Sequence, residues 1–355
     1  MMRIEQLTFT RFLAATSIVI FHYGVKCYPF NNNEIAFIFK SADVGVSYFF
    51  ILSGFVMMLA YGNRPVISVR EYLINRLARI YPVYFFASLL MLLTQLRTNN
   101  LDVKGLFFNL FMIQAWFPDK VLSFNPPAWS LAVEFVFYLI FPFVFNQLFK
   151  KIALNRIVVF VVLFWIFSQL IFHTLYPLSE FQEWTVLKAI LKYNPLMHLN
   201  EFLIGNLAGL CFIQKFKSKK ANYDFLILLF AALVLLALKF PMGFYFHNGL
   251  LAILFIPLII FLSLNNGLIT RLFQEKKLVF LGEISYGIYI LQHPVYSLIS
   301  AYSVNKYLNI SEPTIVFLIR FIILLILASL SYLFLEKPIQ MVVRKTTRVK
   351  TEITF

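Results

Sequence analysis

Ten stretches of this chain read as bilayer-spanning helices, and that constrains the fold more than any other feature. A spanning helix needs about 20 mostly apolar residues. Such stretches lie near residues 7–28, 43–61, 80–97, 129–149, 156–175, 197–214, 223–240, 249–265, 278–301 and 314–335. They are continuous runs, unlike the alternating segments of about 10 residues that build a membrane β-barrel. Composition agrees. Of the 355 residues, 61% are hydrophobic and 13% charged, against roughly 45–50% and 25% in soluble domains. The sequence predicts an all-α, polytopic integral membrane protein with about ten transmembrane helices. Residues 105–117 are apolar but short, and are expected at the outer interface or as a partial helix. No internal repeat is visible, and no polar segment is long enough for a large extramembrane domain. The expected organisation is a transmembrane domain over 1–338 and a basic cytoplasmic tail over 339–355.

The formal net charge is +15. On a soluble protein this would suggest nucleic acid, but here Lys and Arg fall where loops face the cytoplasm. With the N-terminus inside, the inner positions hold Arg3, Arg11, Arg64, Arg70, Arg76, Arg79, Lys150, Lys151, Arg156, Lys215, Lys217, Lys219, Lys220, Arg271, Lys276 and Lys277. The tail adds Lys337, Arg344, Lys345, Arg348 and Lys350. An even number of helices puts both termini in the cytoplasm. Arg3 alone is a weak positive region and no A-x-A cleavage signal follows, so the first segment reads as a permanent helix. Cys27 and Cys211 fall near opposite faces in this topology, so no disulfide framework is expected.

Ionisable residues inside spans cost about 2.5–3.5 kcal/mol each on insertion scales, and so need a reason. The first span, "RFLAATSIVIFHY", carries Arg11 and His22. Eleven residues is three turns plus about 20°, so both lie on one helix face, about 16 Å apart along the axis. Alone, Arg11 would be a snorkelling anchor and His22 a histidine bonded to a neighbouring helix. They are not alone. The second span starts with Asp43 and carries Ser53 and Gly54 near mid-depth. "NRLARIYP" puts Arg76 and Arg79 at the inner mouth of the third. "PPAWSLAVEF" brings Trp129, Ser130 and Glu134 into the fourth, with Glu134 at a depth similar to His22. "NEFLIG" buries Glu201. "LGEISYGIYILQHP" spaces Ser285, Tyr289 and His293 at i, i+4 and i+8 on one face. Trp129 also suits an interfacial aromatic belt. Glu283 and Glu336, near inner ends, read as structural pairing partners. The five histidines show no metal-ligand spacing.

Together these stretches resemble the bacterial membrane acyltransferase-3 family, whose members acylate sugars and glycans at the cell surface. The resemblance runs from Arg11 to "YLFLEKP" (332–338). The Arg-x10-His spacing, "SGF", "RxxRIxP", "WSLxxE", "EFLxG" and "SYGIYxLxHP" follow in the family's order. One departure is His198, in "PLMHLNEF", near a position where the family often has a basic residue.

The resemblance implies an O-acyltransferase of the bacterial inner membrane. The donor would be cytosolic acetyl-CoA or another acyl-CoA, with no permanently bound cofactor and no metal. The acceptor would be a hydroxyl on a lipid-linked or exported glycan such as O-antigen or exopolysaccharide. Arg11, Arg76 and Arg79 would hold the coenzyme A phosphates. His22 would act as general base or as nucleophile. Glu134 would orient it, with Asp43 a competing candidate, and Ser53, Tyr289 or His293 would polarise the thioester carbonyl. Many relatives carry a soluble hydrolase-like domain, so a separate periplasmic acyl-handling protein or a homo-oligomer is an expected partner beside the bilayer. A transporter or flippase of a glycan precursor is the rival reading. Against it stand the absence of an inverted repeat and of paired helix interruptions.

Overall fold

The computed structural model describes residues 4–180, 185–216 and 219–353. Arg3 and Lys217, two of the expected inner charges, lie outside the described residues. The chain is helical throughout: α1 Gln6–Tyr23, α2 Ala36–Lys40, α3 Val44–Tyr61, α4 Val69–Arg97, α5 Val103–Leu110, α6 Trp129–Val144, α7 Leu154–Glu180, α8 Val186–Tyr193 and α9 Pro195–Cys211. There follow α10 Asp224–Lys239, α11 Ala252–Leu264, α12 Leu268–Phe273, α13 Lys276–Glu283, α14 Ser285–Leu298, α15 Ala301–Leu308, α16 Pro313–Ser331 and α17 Lys337–Ile353. Single π turns, Phe145–Phe149, Phe212–Phe216 and Tyr332–Glu336, continue α6, α9 and α16.

Local chemistry sets several of the starts. Pro195 and Pro313 occupy first helical positions, where a missing N–H costs nothing. Ahead of them, Asn194 accepts a hydrogen bond from Leu196 N–H and Glu312 accepts one from Ile315 N–H. Burial at Glu312 is slight, and the amides of Ile315 and Thr314 hold its carboxyl below the usual range.

Among the described residues, six helical stretches are long and apolar enough to cross a membrane: Val44–Tyr61, Val69–Arg97, Pro126–Phe149, Leu154–Ser179, Val186–Phe216 and Pro313–Thr346. The other expected spans are helices too, but shorter or more polar. α10, α11 and α14 have 16, 13 and 14 residues, and α1 has 18 but includes Gln6, Arg11 and His22. The expected continuous span 278–301 is instead two helices, α13 and α14, divided at Ile284. The short stretch 105–117 is α5 followed by a 3-10 turn at Gln114–Trp116.

The chain forms two compact units. One comprises the chain up to Pro65 with Gln147–Glu283, and the other Val66–Asn146 with the chain from Ile284. In the first unit the closest pairing is α3 with α9. A Cβ on Gly205 would run into the Ile51 carbonyl, with the carbonyl carbon at 2.9 Å, and a Cβ on Gly54 would run into the Phe202 carbonyl. Both glycines therefore serve close backbone approach, the use that small residues have between membrane helices. Contacts advance together along both helices, from Phe50–His198 through Ile51–Gly205 to Gly62–Ile213, so α3 and α9 run parallel. α1 runs antiparallel to α3. The Thr10 and Tyr48 hydroxyls bond at 2.5 Å, and Gly45 meets Ala14 and Ile18. In the second unit, α14 packs on α16 with Gly287 against Ala328. The Tyr84 hydroxyl donates to Asn109 O at 2.7 Å and joins α4 to α5.

Candidate active site

The antiparallel register of α1 and α3 brings His22 and Asp43 to the same end of the first unit. Ile18 faces Gly45, His22 is one turn beyond Ile18 on the same face, and Asp43 is two residues before Gly45. Arg11 shares that face, adjacent to Thr10 and hence beside the early turns of α3. His22 is in the last turn of α1 and is exposed on the protein surface. Because α3 and α9 are parallel, the start of α9 reaches the same end and delivers His198 and Glu201.

Sequence reasoning from the motifs does not find the groups that complete this cluster, His247 and Lys192. His198 Nδ1 lies 2.7 Å from Glu201 Oε2, and both side chains are buried, 1% and 0% exposed. His247 Nδ1 lies 3.6 Å from Asp43 Oδ2. The two imidazoles then meet on one acceptor: His198 Nε2 is 2.8 Å and His247 Nε2 2.9 Å from the Lys192 carbonyl oxygen. Their rings are edge-to-face with centroids 5.5 Å apart. A carbonyl only accepts, so both Nε2 atoms carry hydrogen. Asp43 immediately precedes the span Val44–Tyr61. Burial pushes its pKa up, but His247, the Lys192 ammonium and the Val44 amide together bring it below the usual carboxylate range.

Buried amides support the cluster from beneath. Gln169 donates to Asn248 O at 2.7 Å, Asn200 donates to Met197 O at 2.7 Å, and Trp165 donates to Gly249 O at 3.0 Å. Gly249 is left-handed, with φ +88°, and a Cβ there would press 2.5 Å from Glu201 Cγ. Only glycine fits the turn that presents His247. His173 is also committed, with Nδ1 on Gln169 O at 3.0 Å and Nε2 accepting from Tyr245 N–H at 3.3 Å. His173, His198 and His247 thus have both ring nitrogens engaged.

The second unit assembles another cluster. Arg76 is buried, with its guanidinium 5.6 Å from the Tyr72 ring centre and 6.0 Å from that of Tyr138. The Tyr138 hydroxyl donates to Glu134 Oε1 at 2.6 Å. Arg79 is one turn on from Arg76 and half-buried. Ser130 Oγ and the Tyr289 hydroxyl are 2.7 Å apart and lie 3.2 and 3.1 Å from Pro127 O, so one hydroxyl donates to the other and the second donates to that carbonyl. Trp129 and Ser285 are buried and His293 is half-buried. In the first unit Ser53 is half-buried beside Gly54. The expected site residues are drawn from both units. His22, Arg11, Asp43, Ser53 and Glu201 belong to the first unit, and Arg76, Arg79, Glu134, Ser130, Tyr289 and His293 to the second.

The structure is that of a multi-pass helical membrane protein with a carboxylate–histidine cluster at one helix end and a buried arginine–tyrosine–carboxylate cluster. Residues 4–334 match the family model described as "Acyltransferase domain", and the chain belongs to that family. It is 32% identical over 167 residues to the acyltransferase MdmB of Streptomyces mycarofaciens, covering 44% of this chain and 42% of that protein. It is 24% identical over 361 residues to the O-acetyltransferase OatA of Staphylococcus aureus strain NCTC 8325, covering 93% of this chain and 56% of that one. It is 25% identical over 374 residues to a putative O-acetyltransferase, SACOL0978, of Staphylococcus aureus strain COL, covering 92% and 56%. The chain thus spans about half the length of these relatives. No solved structure matches it.

Proposed function

We propose that the protein is an O-acyltransferase of the bacterial inner membrane. It moves an acyl group, acetyl in the first place, from cytosolic acyl-CoA to a hydroxyl of an exported or lipid-linked glycan. The reading places ten spans in the bilayer and both termini in the cytoplasm. Family membership and the O-acetyltransferase relatives support the reaction class. The observation that carries the site is the α1–α3 register, which sets His22 and Asp43 at one end of the same unit.

In this mechanism Arg76 and Arg79, with Arg11, bind the coenzyme A phosphates through charge-assisted hydrogen bonds. His22 takes the proton of the acceptor hydroxyl as its oxygen attacks the thioester carbonyl. The new ester C–O bond forms, the C–S bond breaks, and the proton passes to the departing thiolate, giving free coenzyme A. In the covalent variant His22 first carries the acyl group itself. Asp43 favours the imidazolium form of His22 by its negative charge. Glu134, bonded to Tyr138, serves the second unit's arginine cluster.

The test is transfer of label from acetyl-CoA to glycan in membranes containing the full chain. His22→Ala should abolish transfer while donor binding persists, and Arg11→Ala should chiefly weaken donor use. Label retained on protein given donor alone, and lost in His22→Ala, marks the covalent route. Near-normal transfer by His22→Ala would overturn the assignment.

A further inference from the structure

Two carboxylate–imidazole pairs back onto a single carbonyl oxygen, and they differ in exposure. His198–Glu201 is sealed, whereas in the other pair His247 is 11% and Asp43 35% exposed. The sealed pair and the Lys192 carbonyl therefore act as a fixed base. His247 stands on that base through Nε2 and presents Nδ1 outward to Asp43. With Nε2 already donating, His247 has no lone pair there for taking a substrate proton, and its other ring nitrogen faces Asp43.

We propose that His247 is a positioning residue for acyl transfer: its Nδ1 fixes the Asp43 carboxylate at the His22 end of the first unit. The proposal rests on the acyltransferase reading above. The charged and titratable groups facing this carboxylate are His247 from the loop before α11 and Lys192 and Tyr193 from α8. Lys40 ends the adjoining α2, and Lys239 of α10 lies over the Phe37 ring of α2. Of these, His247 is pinned on its far side by the shared carbonyl, which lets it hold the carboxylate in place.

Amide substitutions separate the two nitrogens. Asn carries its N–H₂ near the position of Nδ1, and Gln near that of Nε2. His247→Asn should keep the Asp43 contact and rescue transfer, whereas His247→Gln should keep only the Lys192 contact. Labelled acetyl transfer from acetyl-CoA to endogenous glycan is measured across pH in membranes carrying each full-length variant, with monodispersity in detergent as the folding check. His247→Gln should lose about tenfold to a hundredfold in rate. Its acid limb should move to higher pH as burial ceases to be offset at Asp43. Asp43→Asn should lose at least as much, and the double variant no more than Asp43→Asn alone.

Equal behaviour of the Asn and Gln variants would overturn the proposal, as would additive losses in the double variant. Should His247→Gln not fold, Asp43→Asn still decides, since normal transfer by that variant is equally fatal. Absence of transfer in the wild type would instead remove the acyltransferase reading itself.

Discussion

Replacing Gly205 with alanine puts one methyl group into the tightest seam of the first unit. The added Cβ would face the Ile51 carbonyl carbon at 2.9 Å and Ile51 Cα at 3.1 Å. Ordinary carbon contacts are about 3.5–4.0 Å, so α3 and α9 must part by roughly 0.6–1 Å. Backbone lies on both sides and no side chain can swing away. The seam is lined by Ile51, Phe55, Met58 and Phe202, all fully buried. On the order of 30 atom pairs at about 0.1–0.2 kcal/mol each, losing a quarter to a half of their attraction, gives about 1–3 kcal/mol. The better helix propensity of alanine returns up to about 1 kcal/mol, leaving a net loss of about 1 kcal/mol at mid-range. Gly54→Ala strains the same seam, so the double variant should cost less than the sum of the singles. Reversible unfolding in mixed micelles, followed by Trp fluorescence, reads these differences. Strict additivity, or no loss in Gly205→Ala, would refute the picture of backbone contact between α3 and α9.

Removing the charge of both Arg76 and Arg79 by alanine should weaken acetyl-CoA binding by about tenfold or more, with the remaining affinity less sensitive to salt; calorimetry on purified protein checks this. Reporter fusions after Asn265 and after Phe355 should both report cytoplasm, and a periplasmic signal at either would overturn the ten-span topology. Glu312, held below the usual carboxylate range by its cap bonds, supports α16 at every pH above the ordinary value. That support should fade only as pH falls through the lowered one. Hydrogen exchange at the Ile315 amide should accelerate in Glu312→Ala at neutral pH, and in the wild type only under acid.

The helical membrane class was legible because long apolar runs admit few folds, and Asp43, Glu201 and Arg76 stood out as charges in greasy surroundings. His247 and Lys192 did not. Each lies in polar company between apolar runs, and only the tertiary meeting of α3, α8, α9 and the loop before α11 gives them partners. His198 registered as a departure from a pattern, but its bond to Glu201 follows from i, i+3 spacing on α9. Gly54 of "SGF" and Gly205 of "EFLxG" are spacers that let two backbones touch, a use that only the packed helices reveal. The break at Ile284 was hidden because "LGEISYGIY" keeps an apolar periodicity across the boundary between the two units.

The two imidazoles sharing the Lys192 carbonyl also bear on how the protein responds to voltage. His198 holds one hydrogen toward that carbonyl, and a second lies between its Nδ1 and Glu201, so the pair sums to zero charge however that proton is shared. Moving one elementary charge across 100 mV is worth about 2.3 kcal/mol. Passing the shared proton between Nδ1 and Oε2 shifts it by only about 1 Å of a hydrocarbon layer roughly 30 Å thick, so about a thirtieth of that energy is at stake. The sealed pair therefore couples only weakly to an energised membrane for as long as the proton stays shared within it.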